Sequence, residues 1–340
     1  MRIAVDAMGG DHAPREIVRG AVEGLVFLGP GDELVLLGDA LAIEKELAEV
    51  NGSRDRIRIV PTTEVIGMDD EPVDAVRRKK DSSIVRMVDL HAKGEVDAVI
   101  SAGNTGACAA AAQMYLRMIP GVSRGRAGIA IVLPSLAGPC VFCDVGANIS
   151  AKPHHLYQYA LMGSIFAEQV LGIERPRVGL LSVGEEEEKG NELVHRTREL
   201  IKADPFLNYA GNVEGRDLMF GKTANVVICD GFVGNVTLKV LEGVVEGLML
   251  MFGKETAGLM PEIAARIEPL IRQVYAKLDY SEYGGAPLLG IDGAMFICHG
   301  RSNHRAIANA VRAGVDFVKA GVNKVIAGQL AKGVRVGGED

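Results

Sequence analysis

Short apolar runs alternate along this chain with longer segments in which apolar residues recur at helical spacing. The short runs are rich in Val and Ile and predict strands at residues 2–6, 33–37, 57–60, 97–101, 128–133, 139–144, 177–183, 226–230 and 294–298. The longer segments predict helices at 14–28, 40–50, 82–93, 105–118, 153–171, 192–203, 235–252, 261–278 and 302–319. This alternation predicts an α/β fold, with a mostly parallel sheet covered by helices on both faces.

No repeat of fixed period and no low-complexity linker divides the chain. Residues 1–340 are therefore read as a single α/β unit, with a division into two lobes as the alternative. Residues 235–278 differ from the rest, because two long helical segments follow each other there around a break before Pro261. A helical pair that projects from a sheet is typical of a dimer contact.

The tip of this helical pair is unusually apolar. Residues 248–252 are five consecutive apolar side chains, and Leu259 and Met260 follow beyond the break. One helix face cannot bury all of them. We expect a second subunit to cover the excess, or the tip to contact lipid headgroups as an amphipathic anchor does. The third alternative is ordinary packing against the body of the protein.

Composition excludes several classes of protein. With 340 residues, 48% hydrophobic residues and a net charge of −7, the chain is predicted to be globular, and it has no dense Lys/Arg stripe for nucleic acid. It begins with a predicted strand rather than a secretory signal, and its apolar stretches are shorter than the roughly 20 residues that span a bilayer. A cytoplasmic protein is therefore expected. Five cysteines do not suggest a disulfide framework, and Cys140 and Cys143 are expected to be buried structural thiols.

The common catalytic and cofactor motifs are missing from the sequence. The seven histidines are scattered without metal-ligand spacing, so no metal is predicted. No G-x-S-x-G or G-x-G-x-x-G motif occurs, which argues against a serine hydrolase and against a dinucleotide cofactor. The remaining possibility is a reaction without a cofactor or a protein nucleophile, in which phosphate takes part.

Four turns support that interpretation. Each follows a predicted strand and precedes a helical segment: Gly103-Asn104, Gly146-Ala147-Asn148, Gly190-Asn191 and Gly234-Asn235. In α/β proteins, ligands gather where strands end and helix N-termini offer free N–H groups. We expect the four turns to converge on phosphate, with Lys152, Lys189 and Lys239 neutralising its charge. The alternatives are simple helix capping by the asparagines and exposed surface lysines.

The segment from Asp6 to Pro14 also combines polar chemistry with a Gly-Gly turn. His12 is a candidate proton donor or phosphate ligand, because imidazole titrates near neutral pH. The alternative is that Asp11 caps the next helix and His12 is merely exposed. His299, before Gly300, is either a core histidine or a site residue.

Taken together and in order, several motifs resemble the phosphate acyltransferase family of bacterial phospholipid synthesis, PlsX. They are DAMGGD at 6–11, SAGNTG at 101–106, DVGAN at 144–148, KGNE at 189–192, GNVE at 211–214, DGFVGN at 230–235 and SEYGGA at 281–286. The resemblance implies transfer of a fatty acyl group from acyl-acyl carrier protein to inorganic phosphate. It also implies a homodimeric three-layer α/β/α sandwich, similar to phosphotransacetylases and isocitrate dehydrogenases, that associates loosely with membranes.

This chemistry allows roles to be assigned as hypotheses. Lys189, Asn235 and His12 are the catalytic candidates, and the phosphate contacts are assigned to Asn104, Gly106, Asn148, Lys152, Asn191 and Lys239. Further site candidates are Asp6, Asp11, Asp144, Asp230 and His299. Because carrier proteins are usually acidic, two basic patches are candidates for docking them: residues 77–80, and the group Arg266, Arg272 and Lys277.

Two other readings remain open. A decarboxylating dehydrogenase of the same fold would require nicotinamide and a divalent metal. A non-catalytic protein would use the apolar tip to dock at a membrane and recruit the next enzyme, a glycerol-phosphate acyltransferase.

Overall fold

The computed structural model describes residues 1–50, 54–258, 261–278 and 280–332. Its strands are β1 Arg2–Asp6, β2 Glu33–Gly38, β3 Ile57–Pro61, β4 Ala98–Ser101, β5 Gly128–Ser135, β6 Gly138–Cys143, β7 Arg177–Leu181, β8 Asn208–Val213, β9 Val226–Ile228, β10 Ala286–Leu289 and β11 Met295–Ile297. Its helices are α1 Arg15–Glu23, α2 Ala40–Glu49, α3 Pro72–Arg78, α4 Ser83–Ala92, α5 Thr105–Tyr115, α6 Pro153–Gln169, α7 Glu192–Ala203, α8 Asp217–Phe220, α9 Gly231–Ala257, α10 Pro261–Leu278, α11 His304–Ala320 and α12 Val322–Leu330.

All the described strands belong to one sheet, in the order β3-β2-β1-β4-β11-β10-β5-β6-β9-β7-β8. Neighbouring strands are parallel except at the centre, where β10 is antiparallel to both β11 and β5, and β5 is antiparallel to β6. Three reversals mean that β6, β9, β7 and β8 run opposite to β1, β4 and β11. The carboxyl ends of these two sets of strands therefore lie at opposite edges of the sheet.

Helices cover both faces of the sheet. Along β1, Ile3 and Val5 point into one apolar layer, whereas Ala4 points into the other, as expected from the alternation of side chains along a strand. The first layer is completed mainly by α1, α6 and α11, and the second by α4 and α5. The predicted three-layer α/β/α sandwich with a mostly parallel sheet is confirmed.

Every predicted strand and helix is present, but some elements were missed and some ends were wrong. The strand predicted at 177–183 ends at Leu181, and the helix predicted from Pro14 begins at Arg15. The missed elements are β8, β10, α3, α8 and α12. β10 is only four residues long and contains Pro287, and β8 is interrupted by Gly211, so neither has a clear strand pattern.

Two other predictions can be checked at this level. The five cysteines are unpaired and buried, and Cys140 and Cys143 lie in opposite apolar layers, which confirms that they are structural thiols. No helix in the described part of the chain is long and apolar enough to cross a bilayer.

Candidate active site

Three of the four Gly-Asn turns meet at one edge of the sheet, which we call the β6 edge: the carboxyl ends of β6, β9 and β7. The backbone N–H of Gly231 donates to the Asn148 carbonyl at 2.9 Å, which joins the turn after β6 to the start of α9. Gly146 faces the side chain of Asn235, so the same two turns touch again. The third turn, with Asn191, shares a cavity with Asp230.

Asp144 organises the turn after β6. Its fully buried carboxylate accepts backbone N–H groups from Ile129 at 3.0 Å, Ala147 at 2.9 Å and Asn148 at 2.7 Å, and also from Gly146 at 3.1 Å. Burial raises the pKa of Asp144, and these donors oppose that shift because they stabilise the charged form. Asp144 therefore holds the turn together and has no acceptor oxygen directed at solvent.

The Asn148 side chain is also occupied within the fold. Its amide nitrogen donates to the Ala127 carbonyl at 2.6 Å and to the Tyr159 hydroxyl at 2.8 Å, while its oxygen accepts a 3.4 Å contact from Arg126. Asn148 is thus placed to orient Arg126, and its amide is not free to bind an anion directly.

The alternative that Asn235 simply caps its helix is wrong. α9 begins four residues earlier, at Gly231, because the Asp230 carboxylate accepts the N–H groups of Phe232 and Val233 at 3.0 and 3.1 Å. Gly234 allows this early start, since a Cβ there would collide with the Asp144 carbonyl oxygen. Asn235 lies exposed in the second turn of α9, beside Gly146.

Two cations and two histidines lie around the N-terminus of α6 and form a group that we call the α6 cluster: Arg126, Lys152, His154 and His155. Burial and the nearby charges of His154, Arg126 and Lys152 lower the pKa of His155 to about 4. Its Nδ1 accepts the backbone N–H of Lys152 at 2.9 Å, which fits a neutral ring. No carboxylate in the described residues forms an ion pair with Arg126 or Lys152, so the positive charge is uncompensated there.

This cluster coincides with the partial positive charge of a 17-residue helix. A helix N-terminus with unpaired cations around it attracts anions, since both the N–H groups and the side chains favour negative charge. The α6 cluster is therefore the strongest anion-binding arrangement that we identify among the described residues.

Lys189 and Asn191 lie in the loop between β7 and α7. Asn191 caps α7 through a 3.0 Å hydrogen bond from the Val194 N–H, which is the alternative to its predicted phosphate contact. The Lys189 carbonyl accepts hydrogen bonds from Arg198 and Asn212 at 3.2 Å, which fixes the loop backbone and leaves the lysine side chain at an exposed position.

The remaining turn, Gly103-Asn104, lies elsewhere, so the expectation that all four turns converge is wrong. Asn104 belongs to the opposite edge, the β1 edge, formed by the carboxyl ends of β1, β4 and β11. Its side chain caps α5 and donates to the carbonyls of Gly67, Met68 and Asp70, so it is occupied by the fold. Gly106 lies in the first turn of α5 against Pro72.

The other N-terminal candidates also lie at the β1 edge. Asp6 is buried and accepts a hydrogen bond from the Ser101 hydroxyl at 2.7 Å. Burial raises the pKa of Asp6.

The Asp11 N–H donates to the Gly300 carbonyl, so this segment packs beside His299. Asp11 does not cap α1, where no side chain provides a cap, and His12 is exposed. Burial lowers the pKa of the half-buried His299.

Helix α9 connects the two edges. It starts at the β6 edge. Further along the helix, the charge of Glu242 raises the pKa of His299 and the charge of Lys239 lowers it. Glu246 pairs with Arg301 at 3.2 Å. Lys239 is itself paired with Glu242 at 2.8 Å, so its charge is partly compensated.

Sequence reasoning missed Arg126 and His155. Arg126 precedes β5, and only the antiparallel pairing of β5 with β6 brings it beside Asn148. No local motif marks such a residue. His155 had a weak signal, since it lies two residues after Pro153 at a predicted helix start.

No group of His, Cys, Asp and Glu among the described residues is arranged to hold a metal ion.

Comparison with known proteins supplies independent information. The sequence profile of a family described as "Fatty acid synthesis protein" matches residues 1–325. The chain is 49% identical over 98% of its length, and 98% of the relative, to a phosphate acyltransferase of Desulfitobacterium hafniense (strain DSM 10664 / DCB-2). It is 50% identical, over 92% of both chains, to a phosphate acyltransferase of Heliobacterium modesticaldum.

Solved structures show the same fold at low sequence identity. A phosphotransacetylase from Streptococcus pyogenes superposes with a TM-score of 0.63 at 16% identity, over 94% of both chains. The EutD phosphotransacetylase from Staphylococcus aureus gives a TM-score of 0.59 at 13% identity, again over 94% of both chains.

Proposed function

Because this chain belongs to the phosphate acyltransferase family, and is therefore an acyltransferase whose reaction involves phosphate, we propose that it transfers a fatty acyl group from acyl-acyl carrier protein to inorganic phosphate at the β6 edge. The product is an acyl phosphate for phospholipid synthesis. The observation that carries the proposed location is the α6 cluster, in which Arg126 and Lys152 form no ion pair with a carboxylate of the described residues.

In this proposal the α6 cluster holds the phosphate. Arg126, oriented by the Asn148 oxygen, offers planar N–H donors, and Lys152 adds a point charge at the helix N-terminus. His155 is neutral, with Nδ1 accepting from Lys152, so it fixes the helix start rather than binding the anion by charge. Lys189 is a further cation for the same site.

The chemistry requires orientation and charge screening rather than a covalent enzyme intermediate. An oxygen of HPO₄²⁻ attacks the thioester carbonyl carbon, the new C–O bond forms, and the C–S bond breaks. The proton of the phosphate passes to the departing thiolate, so acyl phosphate and a free thiol result. Holding the reactants together and stabilising the oxyanion lower the barrier, and the backbone N–H groups and the Asn235 amide are candidates for the second task.

The carrier protein belongs to the proposal as the acyl donor. Of the basic run at 77–80, Lys79 pairs with Asp70 at 2.5 Å and Lys80 donates to the Tyr115 hydroxyl. The Arg78 Nε donates to the Asp74 carbonyl at 3.5 Å, so Arg77 and the terminal N–H groups of Arg78 are left for an acidic partner. In the second basic patch, the side chains of Arg272 and Lys277 lie outside the described residues.

A homodimer is also proposed, supported by an apolar row along α9. Val236, Val240 and Val244 are 50%, 58% and 54% exposed at helical spacing, which suits a second copy of the same helix. The tip also carries the exposed side chains of Leu250 and Phe252, which suit shallow contact with lipid headgroups; Leu259 and Met260 lie outside the described residues. A cytoplasmic location with peripheral membrane contact, and recruitment of a glycerol-phosphate acyltransferase there, are part of this proposal.

The pure protein tests the proposed reaction. With acyl-acyl carrier protein and inorganic phosphate, we expect acyl phosphate and free carrier thiol to appear in equal amounts, without added metal or nicotinamide. The same thiol release with no acyl phosphate would instead indicate a hydrolase. Activity that appears only with NAD and magnesium would support the dehydrogenase reading.

A further inference from the structure

A cavity beside the α6 cluster has no role so far. It has a volume of about 340 Å³ and lies between the end of β7, the start of α7 and the first turns of α9. Its apolar walls are formed by Leu156, Leu181, Val183, Leu193, Val194, Ile228 and Val233. This volume lies at the lower end of the range for small-molecule sites.

The polar residues of the cavity wall are mostly occupied by the fold. Asp230 and Asn191 cap α9 and α7, and the Thr237 hydroxyl donates to the Val233 carbonyl at 2.8 Å. The Cys229 thiol contacts the Asp144 carbonyl. Because these groups are directed at backbone partners, the surface that they leave for a ligand is chiefly hydrocarbon. The exception is the Ser182 hydroxyl, which is buried and has no hydrogen-bond partner among the described residues.

The cavity adjoins the proposed phosphate site. Leu156, in its wall, lies in the first turn of α6, the helix whose N-terminus carries Lys152. Asp230, also in the wall, precedes Gly231, whose N–H donates to the Asn148 carbonyl at 2.9 Å, and the Asn148 side-chain oxygen accepts from Arg126 at 3.4 Å. The cavity and the α6 cluster are therefore joined through Asn148. A hydrocarbon site next to an anion site is what the two substrates of acyl transfer to phosphate require.

We propose that this cavity holds the carbonyl-proximal part of the acyl chain of a thioester. The proposal rests on the function proposed above, and it assigns the substrate class that the cavity takes.

A tryptophan reporter tests the binding, since the chain contains no tryptophan. Val183 lines the cavity and is 84% exposed, so Val183→Trp adds a ring at the mouth with little effect on packing. With S-octanoyl-pantetheine as the probe, we expect a saturable fluorescence change that S-acetyl-pantetheine gives only weakly. Leu136→Trp, 78% exposed in the β5–β6 turn, is the matched control and should show no change.

A second variant tests the cavity through chain length. Gly215 lines it, and nothing lies within 4 Å of the position that a Cβ would take, so Gly215→Leu extends into open space. Keeping two methylene groups out of the cavity should weaken octanoyl binding roughly tenfold relative to acetyl. Gly31→Leu, at another open position, is the control and should leave the chain-length preference unchanged.

The outcomes separate the two proposals. In the first outcome, the wild-type protein forms octanoyl phosphate, but Val183→Trp shows no fluorescence change and Gly215→Leu keeps the wild-type chain-length preference. The cavity assignment is then wrong, and the proposed reaction stands. If the signal saturates and Gly215→Leu weakens it, but no acyl phosphate forms, the cavity assignment holds and the proposed reaction fails. Should Val183→Trp not fold, the chain-length preference of Gly215→Leu decides alone.

Discussion

Replacing Arg126 with alanine is expected to lower kcat/KM for inorganic phosphate by about 10- to 100-fold. The reason is that a hydrogen bond to a charged group contributes about 1.5–3 kcal/mol, and Arg126 is the cation that the Asn148 oxygen holds at the α6 cluster. Lys152→Ala should act in the same direction, and the double variant should lose more than either. Steady-state kinetics with phosphate varied at saturating acyl thioester measure the effect.

The controls for this result lie close by. Arg124→Ala removes an exposed cation two residues from Arg126, and should change kcat/KM less than about twofold if general surface charge is unimportant. Arg126→Lys keeps the charge and should recover part of the loss. Wild-type kcat/KM for phosphate in both Arg126→Ala and Lys152→Ala would remove the α6 cluster from phosphate binding.

Replacing Asp144 with alanine should lower the free energy of unfolding by about 3–5 kcal/mol. The substitution leaves the buried N–H groups of Ile129, Ala147 and Asn148 without their acceptor, and each such loss is costly. Against a typical total of about 5–15 kcal/mol, this is a large fraction. Urea unfolding followed by circular dichroism measures it.

Two further variants make the stability result specific. Asp144→Asn keeps one acceptor oxygen and should lose less stability than Asp144→Ala. Asp69→Ala, at an exposed position, should stay within about 0.5 kcal/mol of the wild-type protein. If Asp144→Ala were as stable as Asp69→Ala, the turn after β6 would not depend on this carboxylate.

Part of this site could be predicted because its signals are local. The turns at 146–148, 190–191 and 234–235 do meet, since β6, β7 and β9 are parallel neighbours whose ends share an edge. Asn191 caps its helix as its position after Gly190 predicts. Local hydrogen bonds of this kind are encoded within a few residues.

The rest depends on long-range pairing that the sequence pattern does not show. The turn with Asn104 would join the others if the sheet were parallel throughout, but the reversals at β10 and β5 place it at the opposite edge. β10 is too short to be recognised, so the two reversals that it makes were not predicted. Arg126 was missed because only the antiparallel pairing of β5 with β6 brings it beside Asn148. The start of α9 was misplaced because Asp230, and not Asn235, caps this helix.

The position of a bound anion tests the central claim most directly. In crystals soaked with inorganic phosphate, we expect a tetrahedral density at the N-terminus of α6 that Arg126 and Lys152 contact. Phosphate bound instead at the β1 edge, between Asp11 and Asn104, with no density at α6, would contradict the account.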